Sequence, residues 1–357
     1  MNRRQRIDLI INTISKMGAP SLCRRFRNDE FCILMLHGVT DSHEQSGIGN
    51  TEEISIHVDD LEEICQLLSK HYHVPSLDEV VDAMETKTSL PPRSVVLTFD
   101  DGYASDYELA FPLLKKYGLH GTIFASTDFV TNKASMWWDR MEYAVGHTEA
   151  ARLSIIIGET HIDRDLGATN DKPTRKQLFL DLLPIIKGLP QEKVYHEVGR
   201  IEDALDCRLS DAENPPAIYR PMTWNQAREM HKSDHVTIGG HTHTHRIMGR
   251  CTLETARAEL ETSLQLLKEH LGLDRPLFSY TNGHIGDFTP ETNEILKELG
   301  YRCALLTETG FNRVEDDPFL LRRFSTGNNA RYVDVMASGT MRSVINVANV
   351  LRGRKAA

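Results

Sequence analysis

Short apolar segments alternate with longer segments of helical periodicity along most of this chain. The apolar segments are rich in valine, isoleucine, leucine and phenylalanine, and their length is that of buried strands. Strands that alternate with helices are typical of parallel sheets, so the pattern predicts an α/β fold. Seven or so such strands predict a distorted or incomplete (β/α)7–8 barrel, whose functional loops share one rim. The segments that predict strands are 31–36, 94–99, 121–125, 236–239, 276–280, 302–306 and 319–323.

The helices between these segments have recognisable ends. Ser76 and Glu79 have the spacing of a capping box, in which each side chain bonds the other residue's backbone N–H, and Thr223 with Gln226 repeats this spacing. A long apolar stripe over residues 253–271 stops before a glycine, the residue that most often follows the end of a helix. These ends support the alternation of strands and helices.

Residues 126–220 are too numerous for a tight connection between two strands. They include Trp137, Trp138 and a helical pattern over residues 176–186. Long insertions on the carboxyl rim of a barrel often cover a site, so we expect substrate specificity to reside in this insert. For the adjacent tryptophans we favour a role as core anchors of the insert over a platform for a sugar, because each ring buries a large area.

The amino terminus predicts a basic amphipathic helix over residues 1–28. Such a helix can pack its apolar stripe on the protein's own body, which we favour, or lie on an anionic membrane surface. The barrel is expected over residues 29–330, interrupted by the insert at 126–220, and a helical extension is expected over residues 331–357. The apolar positions of the amino-terminal helix are Ile7, Ile10, Ile11, Ile14 and Met17, and the basic positions beside them are Arg3, Arg4, Arg6, Lys16, Arg24, Arg25 and Arg27.

The bulk composition is that of a soluble globular protein, with 40% hydrophobic and 26% charged residues. The formal net charge of −10 argues against a nucleic-acid partner, because phosphate binding depends on basic surface. The six cysteines are scattered without metal-ligand spacing, which indicates reduced thiols and a reducing compartment. Since the sequence has no signal-peptide core and no membrane-spanning run, we expect a cytoplasmic protein, with peripheral contact at the inner face of the membrane as the alternative.

Two adjacent carboxylates end the apolar segment 94–99. The segment runs into Asp100, Asp101 and Gly102, at the end of a strand where barrels of this kind place their chemistry. Two neighbouring aspartates in such a place require a cation or a proton between them. One carboxylate can therefore bind a cation while the other accepts a proton from water.

A group of histidines follows the predicted strand 236–239. In a helical turn His241 and His245 lie on one face and leave His243 outside, whereas in an extended segment all three histidines point to the same side. Imidazole nitrogens together with a carboxylate suit zinc, with cobalt, nickel or iron as alternatives. Three protein ligands leave one coordination position open, which is typical of a catalytic site. The histidines of lower rank, expected at the rim or in solvent, are His43, His57 and His284.

The two motifs together resemble the signature motifs of the polysaccharide deacetylases, the NodB-homology carbohydrate esterase family 4. The segments that carry the resemblance are Thr98-Phe99-Asp100-Asp101-Gly102 and His241-Thr242-x-x-His245. Residues 35–39, 119–124 and 278–283 resemble three further elements of the family, although Thr281 stands where many members have proline. The landmarks run from about residue 31 to about residue 325, so the resemblance implies a NodB-type barrel for most of the chain.

The resemblance also implies roles for individual residues. Asp101, His241 and His245 would be the metal ligands, and Asp100 would be the catalytic base. The backbone N–H of Tyr103 would stabilise the oxyanion, which places Tyr103 among the substrate-binding residues.

Further roles follow from the third motif and from a histidine near the start of the barrel. Tyr280 and Asn282 of the third motif are assigned to substrate binding. The late Leu-x-His motif of many relatives is not evident, so His37 at the end of the first strand is expected to be the general acid. Either Arg275 or Arg323 would orient the base.

The predicted function is a metal-dependent hydrolase that removes the N-acetyl group of an amino sugar in a polysaccharide or glycan precursor. An alternative keeps the metal site but uses another C–N substrate, such as a formamide, a cyclic amide or a ureide. A second alternative is a catalytically silent carbohydrate-binding protein of the same fold. The altered third motif and the missing late histidine favour the silent form, whereas the complete set of aspartates and histidines in the two signature motifs favours the enzyme.

Overall fold

The computed structural model describes residues 3–27, 29–168, 170–327 and 329–351. The strands are β1 (Cys32–Leu36), β2 (Val39–Thr40), β3 (Ile56–His57), β4 (Val95–Asp101), β5 (Gly121–Ala125), β6 (Arg152–Ile157), β7 (Thr160–Asp165), β8 (Val236–Gly240), β9 (Phe278–Ser279), β10 (Ala304–Leu305) and β11 (Phe324–Ser325). The α-helices are α1 (Arg3–Lys16), α2 (Ala19–Cys23), α3 (Val58–His71), α4 (Leu77–Thr86), α5 (Phe111–Tyr117), α6 (Thr127–Asn132), α7 (Trp137–His147), α8 (Lys172–Lys187), α9 (Gln191–Leu205), α10 (Trp224–His231), α11 (Leu253–Leu271), α12 (Pro290–Glu298), α13 (Ala330–Ala337) and α14 (Thr340–Leu351).

Seven strands form one parallel sheet in the order β10-β9-β8-β5-β4-β1-β11. This sheet confirms the predicted α/β barrel of parallel strands. All seven residues of β4 are buried, because the strand lies between β1 and β5 with side chains packed on both of its faces. A strand buried on both faces has no polar side to alternate with, which explains its continuous apolar run.

The two edges of the sheet are joined by the chain segment that follows β10. Leu321 forms a parallel bridge with Leu305 of β10, and Phe324 pairs with Leu34 of β1. Residues 321–325 therefore contact both edges and close the sheet into a barrel through one irregular segment.

The last strand differs from its predicted position at 319–323. A 3₁₀ turn occupies Pro318–Leu320, and the pairing with β1 begins only at Phe324. The carboxylate of Asp317 accepts a hydrogen bond from the backbone N–H of Phe319 at 2.9 Å and so caps the turn. The apolar residues of this segment predict a strand, whereas the capped turn delays the strand by five residues.

The predicted helix ends agree with the structure. Both capping boxes form, at Ser76 with Glu79 and at Thr223 with Gln226. Helix α11 ends at Gly272, which has a left-handed φ of 74°.

The residues assigned to the insert form helices and the antiparallel hairpin of β6 and β7, and they share a hydrophobic core of their own. Trp137 and Trp138 are buried in this core. Their burial agrees with the favoured role as core anchors of the insert. Both rings also line the pocket at the carboxyl rim, and a role as a platform for a sugar stays a prediction.

The apolar stripe of the amino-terminal helix is divided between the protein body and the surface. Ile11 is buried where α1 packs on α13, whereas Ile10 and Met17 are exposed. The expectation that the whole stripe packs on the body is therefore wrong for these two residues, and the side chain of Ile7 lies outside the described part. In the part of the chain that the structure describes, no helix combines the length and the apolar character needed to cross a bilayer.

Replacing Leu97 by alanine is expected to lower the free energy of unfolding by about 3 kcal/mol, because the change leaves a cavity in the centre of β4. Urea denaturation followed by circular dichroism measures this loss. The matched control is Leu180→Ala, at a side chain that is 42% exposed, where a change within about 0.5 kcal/mol is expected. Equal effects of the two substitutions would contradict the position of β4 in the core.

Candidate metal centre and pocket

The predicted site residues converge at the carboxyl ends of the parallel strands. His37 follows β1, Asp100 and Asp101 end β4, and the histidine segment follows β8, so the sheet brings these groups to one rim. They share one pocket with a volume of about 160 Å³. The predicted site residues that line it are His37, Asp100, Asp101, His241, His245, Tyr280 and Asn282.

The histidine segment adopts neither of the two geometries weighed from the sequence. Thr242 and His245 have left-handed φ values of 61° and 56°, so the segment is an irregular turn instead of a helical turn or a strand. The turn still brings His241 and His245 together, with ring centroids 4.9 Å apart. His243 points elsewhere, with its Nδ1 3.0 Å from the hydroxyl of Thr127. His243 is therefore outside the centre, as the helical alternative predicts.

A buried carboxylate holds this turn in place. Glu259 of α11 accepts hydrogen bonds from the backbone N–H groups of His243 and Thr244, at 3.0 and 2.7 Å. Its other oxygen accepts a hydrogen bond from the Thr244 hydroxyl at 2.6 Å. Sequence reasoning missed Glu259, although an acidic residue on the buried side of the α11 stripe was a signal that it had a partner.

Asp101 lies between the two imidazoles. Its Oδ1 is 3.5 Å from Nε2 of His241 and 3.2 Å from Nε2 of His245. Two bonds of about 2.1 Å at a tetrahedral angle place their ligand atoms about 3.4 Å apart, so these separations fit ligands of a single zinc-sized ion. Among the described residues, this buried Oδ1 has no hydrogen-bond partner. Such an oxygen is expected where a carboxylate binds a cation.

The protonation states of these groups suit metal binding. Burial raises the pKa of Asp101, but the nearby histidines, His245 foremost, outweigh burial and lower the pKa to about 2. Burial lowers the pKa of His241 to about 4, so its ring is neutral at pH 7. Its Nδ1 lies 2.8 Å from the carbonyl oxygen of Ser279, which can only accept, so Nδ1 carries the hydrogen and Nε2 presents its lone pair to the centre.

The backbone at the end of β4 is folded back sharply to present these carboxylates. Asp101 and Gly102 both have left-handed φ values, of 80° and 89°. A non-glycine residue in this region costs on the order of 1–3 kcal/mol, and such strain is often found at functional sites. The surrounding barrel therefore holds Asp101 in a conformation that the local sequence disfavours.

Arg323 is the arginine that orients Asp100. Its Nη1 donates to Oδ1 of Asp100 at 2.8 Å, and both side chains are almost completely buried. Burial raises the pKa of Asp100, but Arg323 more than offsets burial and the pKa is lowered. Arg275, the other candidate from the sequence, is exposed and lies 3.7 Å from Glu85. Asp100 is thus held in its ionised form beside the centre.

The side chain of Tyr103 is directed away from the pocket and into the insert. Its hydroxyl donates to Asp139 and accepts from Nε1 of Trp138, both at 3.1 Å. The Trp138 ring also contacts the ring of His245 edge-on, with centroids 4.5 Å apart. The insert therefore packs directly on a candidate metal ligand, a contact that sequence reasoning did not assign. The role of the Tyr103 backbone N–H stays a prediction.

The third motif is fixed by its own hydrogen bonds. The hydroxyl of Tyr280 donates to Asn293 at 2.7 Å, and the amide of Asn282 donates to Asp287 at 2.7 Å. Thr281, which replaces the proline of many relatives, donates its hydroxyl hydrogen to the carbonyl oxygen of Arg246. The threonine thus ties this motif to the segment that carries His245. Substrate binding by Tyr280 and Asn282 stays a prediction.

A second group of possible ligands lies at His43, His57 and Asp59, whose ligand atoms are all within 4.8 Å of one another. The two imidazole rings are stacked at 3.9 Å with only 10° between their planes. A ring nitrogen's lone pair lies in the plane of its ring, so lone pairs in two separated and nearly parallel planes do not converge on one ion. We therefore assign no metal to this group.

Fold and site together define an α/β barrel whose rim holds one carboxylate and two imidazoles in metal-binding geometry, next to a buried aspartate–arginine pair. The family model described as polysaccharide deacetylase matches residues 87–152 and 210–304. These residues include both signature motifs, and the gap between the two matched segments falls within the insert. This match confirms the resemblance to the polysaccharide deacetylase family that the motifs predict.

Solved structures of deacetylases have a similar fold. The Streptococcus pyogenes deacetylase PplD in complex with acetate is 17% identical, with a TM-score of 0.56 over 87% of this chain and 99% of that one. IcaB from Ammonifex degensii is 20% identical, with a TM-score of 0.55 over 87% of this chain and 98% of that one. Similarity at these identities establishes the fold alone.

A curated relative shares a shorter stretch of sequence. YxkH of Bacillus subtilis (strain 168), named for the same family, is 38% identical over 55 residues. The match covers 15% of this chain and about a fifth of the length of that relative.

Replacing Asp101, His241 or His245 by alanine is expected to weaken zinc binding by more than about 100-fold, because the loss of a direct ligand exceeds the 10–100-fold cost of losing an outer partner. Titration calorimetry on the metal-free protein, together with elemental analysis of the protein as purified, measures this loss. The matched control is His243→Ala, a neighbouring imidazole outside the centre, which should bind zinc as the unaltered protein does. Zinc binding that depends on His243 as strongly as on His241 would contradict the assignment.

Proposed function

We propose that this protein is a metal-dependent deacetylase that hydrolyses the N-acetyl amide of an amino sugar in a glycan precursor. The polysaccharide deacetylases, whose family model matches this chain, are hydrolases that act on carbon–nitrogen amide bonds. The observation that carries the proposal is the buried pair of Asp100 and Arg323 beside the centre of Asp101 and its two histidines. An ionised carboxylate next to three metal ligands is the arrangement that amide hydrolysis by activated water requires.

The residues of the centre fit a divalent cation. Asp101, His241 and His245 would hold it, and their mixed oxygen and nitrogen donors suit zinc best, with cobalt, nickel or iron as alternatives. Such an ion supplies Lewis-acid chemistry, which acidifies water and polarises an amide carbonyl.

Asp100 is the proposed general base. Arg323 occupies its Oδ1, so Oδ2 is the oxygen that can accept a proton from the attacking water. Because Arg323 keeps the pKa of Asp100 below its usual value, the carboxylate is ionised and ready at neutral pH. The backbone N–H of Tyr103, which follows the left-handed Gly102, is proposed to donate to the developing oxyanion.

His37 is the proposed general acid. An amine leaving group must receive a proton as the C–N bond breaks, so an amide hydrolase needs a proton donor in the pocket. Three histidines line the pocket, and His241 and His245 belong to the candidate centre. His37 is therefore the imidazole left for this task, on the opposite side of the aspartates from the histidine segment.

Two substitutions that spare the candidate ligands test these roles. Asp100→Asn and His37→Asn are each expected to lower the rate of acetate release from N-acetylglucosamine substrates by roughly 10²–10⁴-fold, because each removes a proton-transfer group. Both variants should keep the zinc content of the unaltered protein. Loss of zinc from His37→Asn would reassign His37 to the metal.

The same experiment separates the proposal from its alternatives. No hydrolysis of a broad panel of amides in the presence of added zinc or cobalt would favour the catalytically silent form. Turnover of formamides or cyclic amides, with none of N-acetylated sugars, would favour another C–N substrate.

The pocket supports a substrate that enters as a single sugar unit. Its volume of about 160 Å³ is below the roughly 300–1,000 Å³ of pockets that hold drug-sized ligands. The barrel rim forms its floor, and the insert contributes a wall of Trp137, Trp138, Gln191 and Val194. A pocket of this volume favours one sugar unit over several, so we expect the terminal unit of a glycan chain to be the one that enters.

Polar contacts fix the insert over this pocket. The side chain of Gln191 accepts a hydrogen bond from the backbone N–H of Ile247 at 3.0 Å, just beyond the histidine segment. Lys187 at the end of α8 lies 3.7 Å from Glu52, and both residues line the pocket. The insert therefore contacts the rim on two sides.

A pentamer of N-acetylglucosamine tests this substrate class. We expect the protein to remove at most one acetyl group from each pentamer, at a terminal unit, and tandem mass spectrometry locates the free amine. Lys187→Ala removes one of the two contacts at the mouth and is expected to increase deacetylation of inner units. Deacetylation of inner units by the unaltered protein would contradict the single-unit substrate while leaving the proposed reaction intact.

A further inference from the structure

Exposed apolar side chains are concentrated at the two ends of the described chain. Seven of the twelve large hydrophobic residues that are exposed in the described part lie within residues 9–26 or in α14. Soluble proteins scatter such residues singly, so a cluster of them indicates an interaction surface. The seven residues, called the terminal patch below, are Leu9, Ile10, Met17, Leu22, Phe26, Val344 and Ile345.

The helices that carry the terminal patch are anchored to the protein body by other side chains. Ile11 is buried, α1 contacts α13, and α14 contacts α2. Arg24 forms an ion pair with Asp334, and Arg27 donates to the carbonyl oxygen of Ser94 at 2.9 Å. The patch is therefore the outer face of helices whose inner contacts are already made.

The sequence at both ends is strongly basic in an otherwise acidic chain. Residues 1–27 contain seven arginines and lysines and one aspartate, and residues 340–357 contain four basic residues and no acidic one. The whole chain nevertheless has a formal charge of −10. Lys16 and Arg25 are exposed beside patch residues. Arg24 and Arg27 are buried and Arg342 is paired with Glu30, so the basic side chains that lie free beside the patch are, among the described ones, Lys16 and Arg25.

We propose that the terminal patch docks on the surface of a membrane that contains anionic phospholipids. Apolar side chains enter the boundary between headgroups and acyl chains, while lysine and arginine are attracted to the negative surface. The charge distribution favours this partner over a second copy of the chain, because two terminal patches face to face would bring like charges together. The patch involves none of the pocket residues, so membrane docking is independent of the proposed reaction.

Co-sedimentation of the full chain with vesicles tests the proposal. One set of vesicles consists of phosphatidylcholine alone, and the other contains phosphatidylcholine with roughly 30 mol% phosphatidylglycerol. We expect pelleting with the anionic vesicles and little with the neutral ones. Raising the salt concentration from about 0.1 to about 0.5 M should weaken the binding, because it shortens the screening length.

Two double variants separate the apolar and the electrostatic contributions. Met17→Ser with Phe26→Ser removes the two most exposed apolar side chains of the patch, each 79% exposed. Lys16→Glu with Arg25→Glu is expected to weaken binding by at least about tenfold, since each basic residue near an anionic surface contributes about fivefold. The matched control is Ile156→Ser, an exposed apolar residue of β6 outside the patch, which should bind as the unaltered protein does.

Three results would overturn the proposal. Equal pelleting with neutral and anionic vesicles would contradict the electrostatic attraction. Unchanged pelleting of both double variants would contradict the assignment of membrane binding to the terminal patch. If light scattering finds a dimer of the unaltered protein that the Met17 and Phe26 substitutions dissociate, the patch serves a second copy of the chain instead. Thermal unfolding of each variant, monitored by circular dichroism, verifies that the comparison is made between folded proteins.

Discussion

Two adjacent carboxylates buried at the end of β4 are the constraint on which the rest of the site depends. Asp100 and Asp101 are both 2% exposed, and burying a charge is costly unless a partner compensates it. The structure supplies different partners to the two residues. Arg323 compensates Asp100, while His241 and His245 surround Asp101 and leave one of its oxygens for a cation. Because the partners come from distant parts of the chain, the site exists only when the barrel is complete.

Barrel closure and site chemistry are linked through Arg323. The arginine lies in the segment 321–325 that joins the two edges of the sheet, and its Nε donates to the carbonyl oxygen of Leu306 at 2.8 Å. The same side chain thus contacts the end of β10 and the carboxylate at the end of β4. A displacement of this segment would open the sheet and, at the same time, break the contact between Arg323 and Asp100.

The sequence predicts the barrel and most of the site because both rest on local patterns. The apolar run of β4 and its terminal aspartates are contiguous, and the capping boxes need only four residues each. The prediction fails where distant contacts decide the local structure. The capped turn at residues 318–320 displaces the last strand, and Glu259 holds the histidine segment in a turn that its own residues disfavour. Spacing alone also could not choose between Arg275 and Arg323, because the choice depends on how the barrel closes.

The contact of Trp138 with both Tyr103 and His245 limits how this insert can be replaced by a different one. The insert is a wall of the pocket, and it is also a support for an imidazole at its centre. Grafting a differently shaped insert onto this barrel would require the indole, or a group that fills its place, to be transplanted with it. New substrate preferences are therefore more accessible through changes in α8 and α9, away from Trp138, than through replacement of the whole insert.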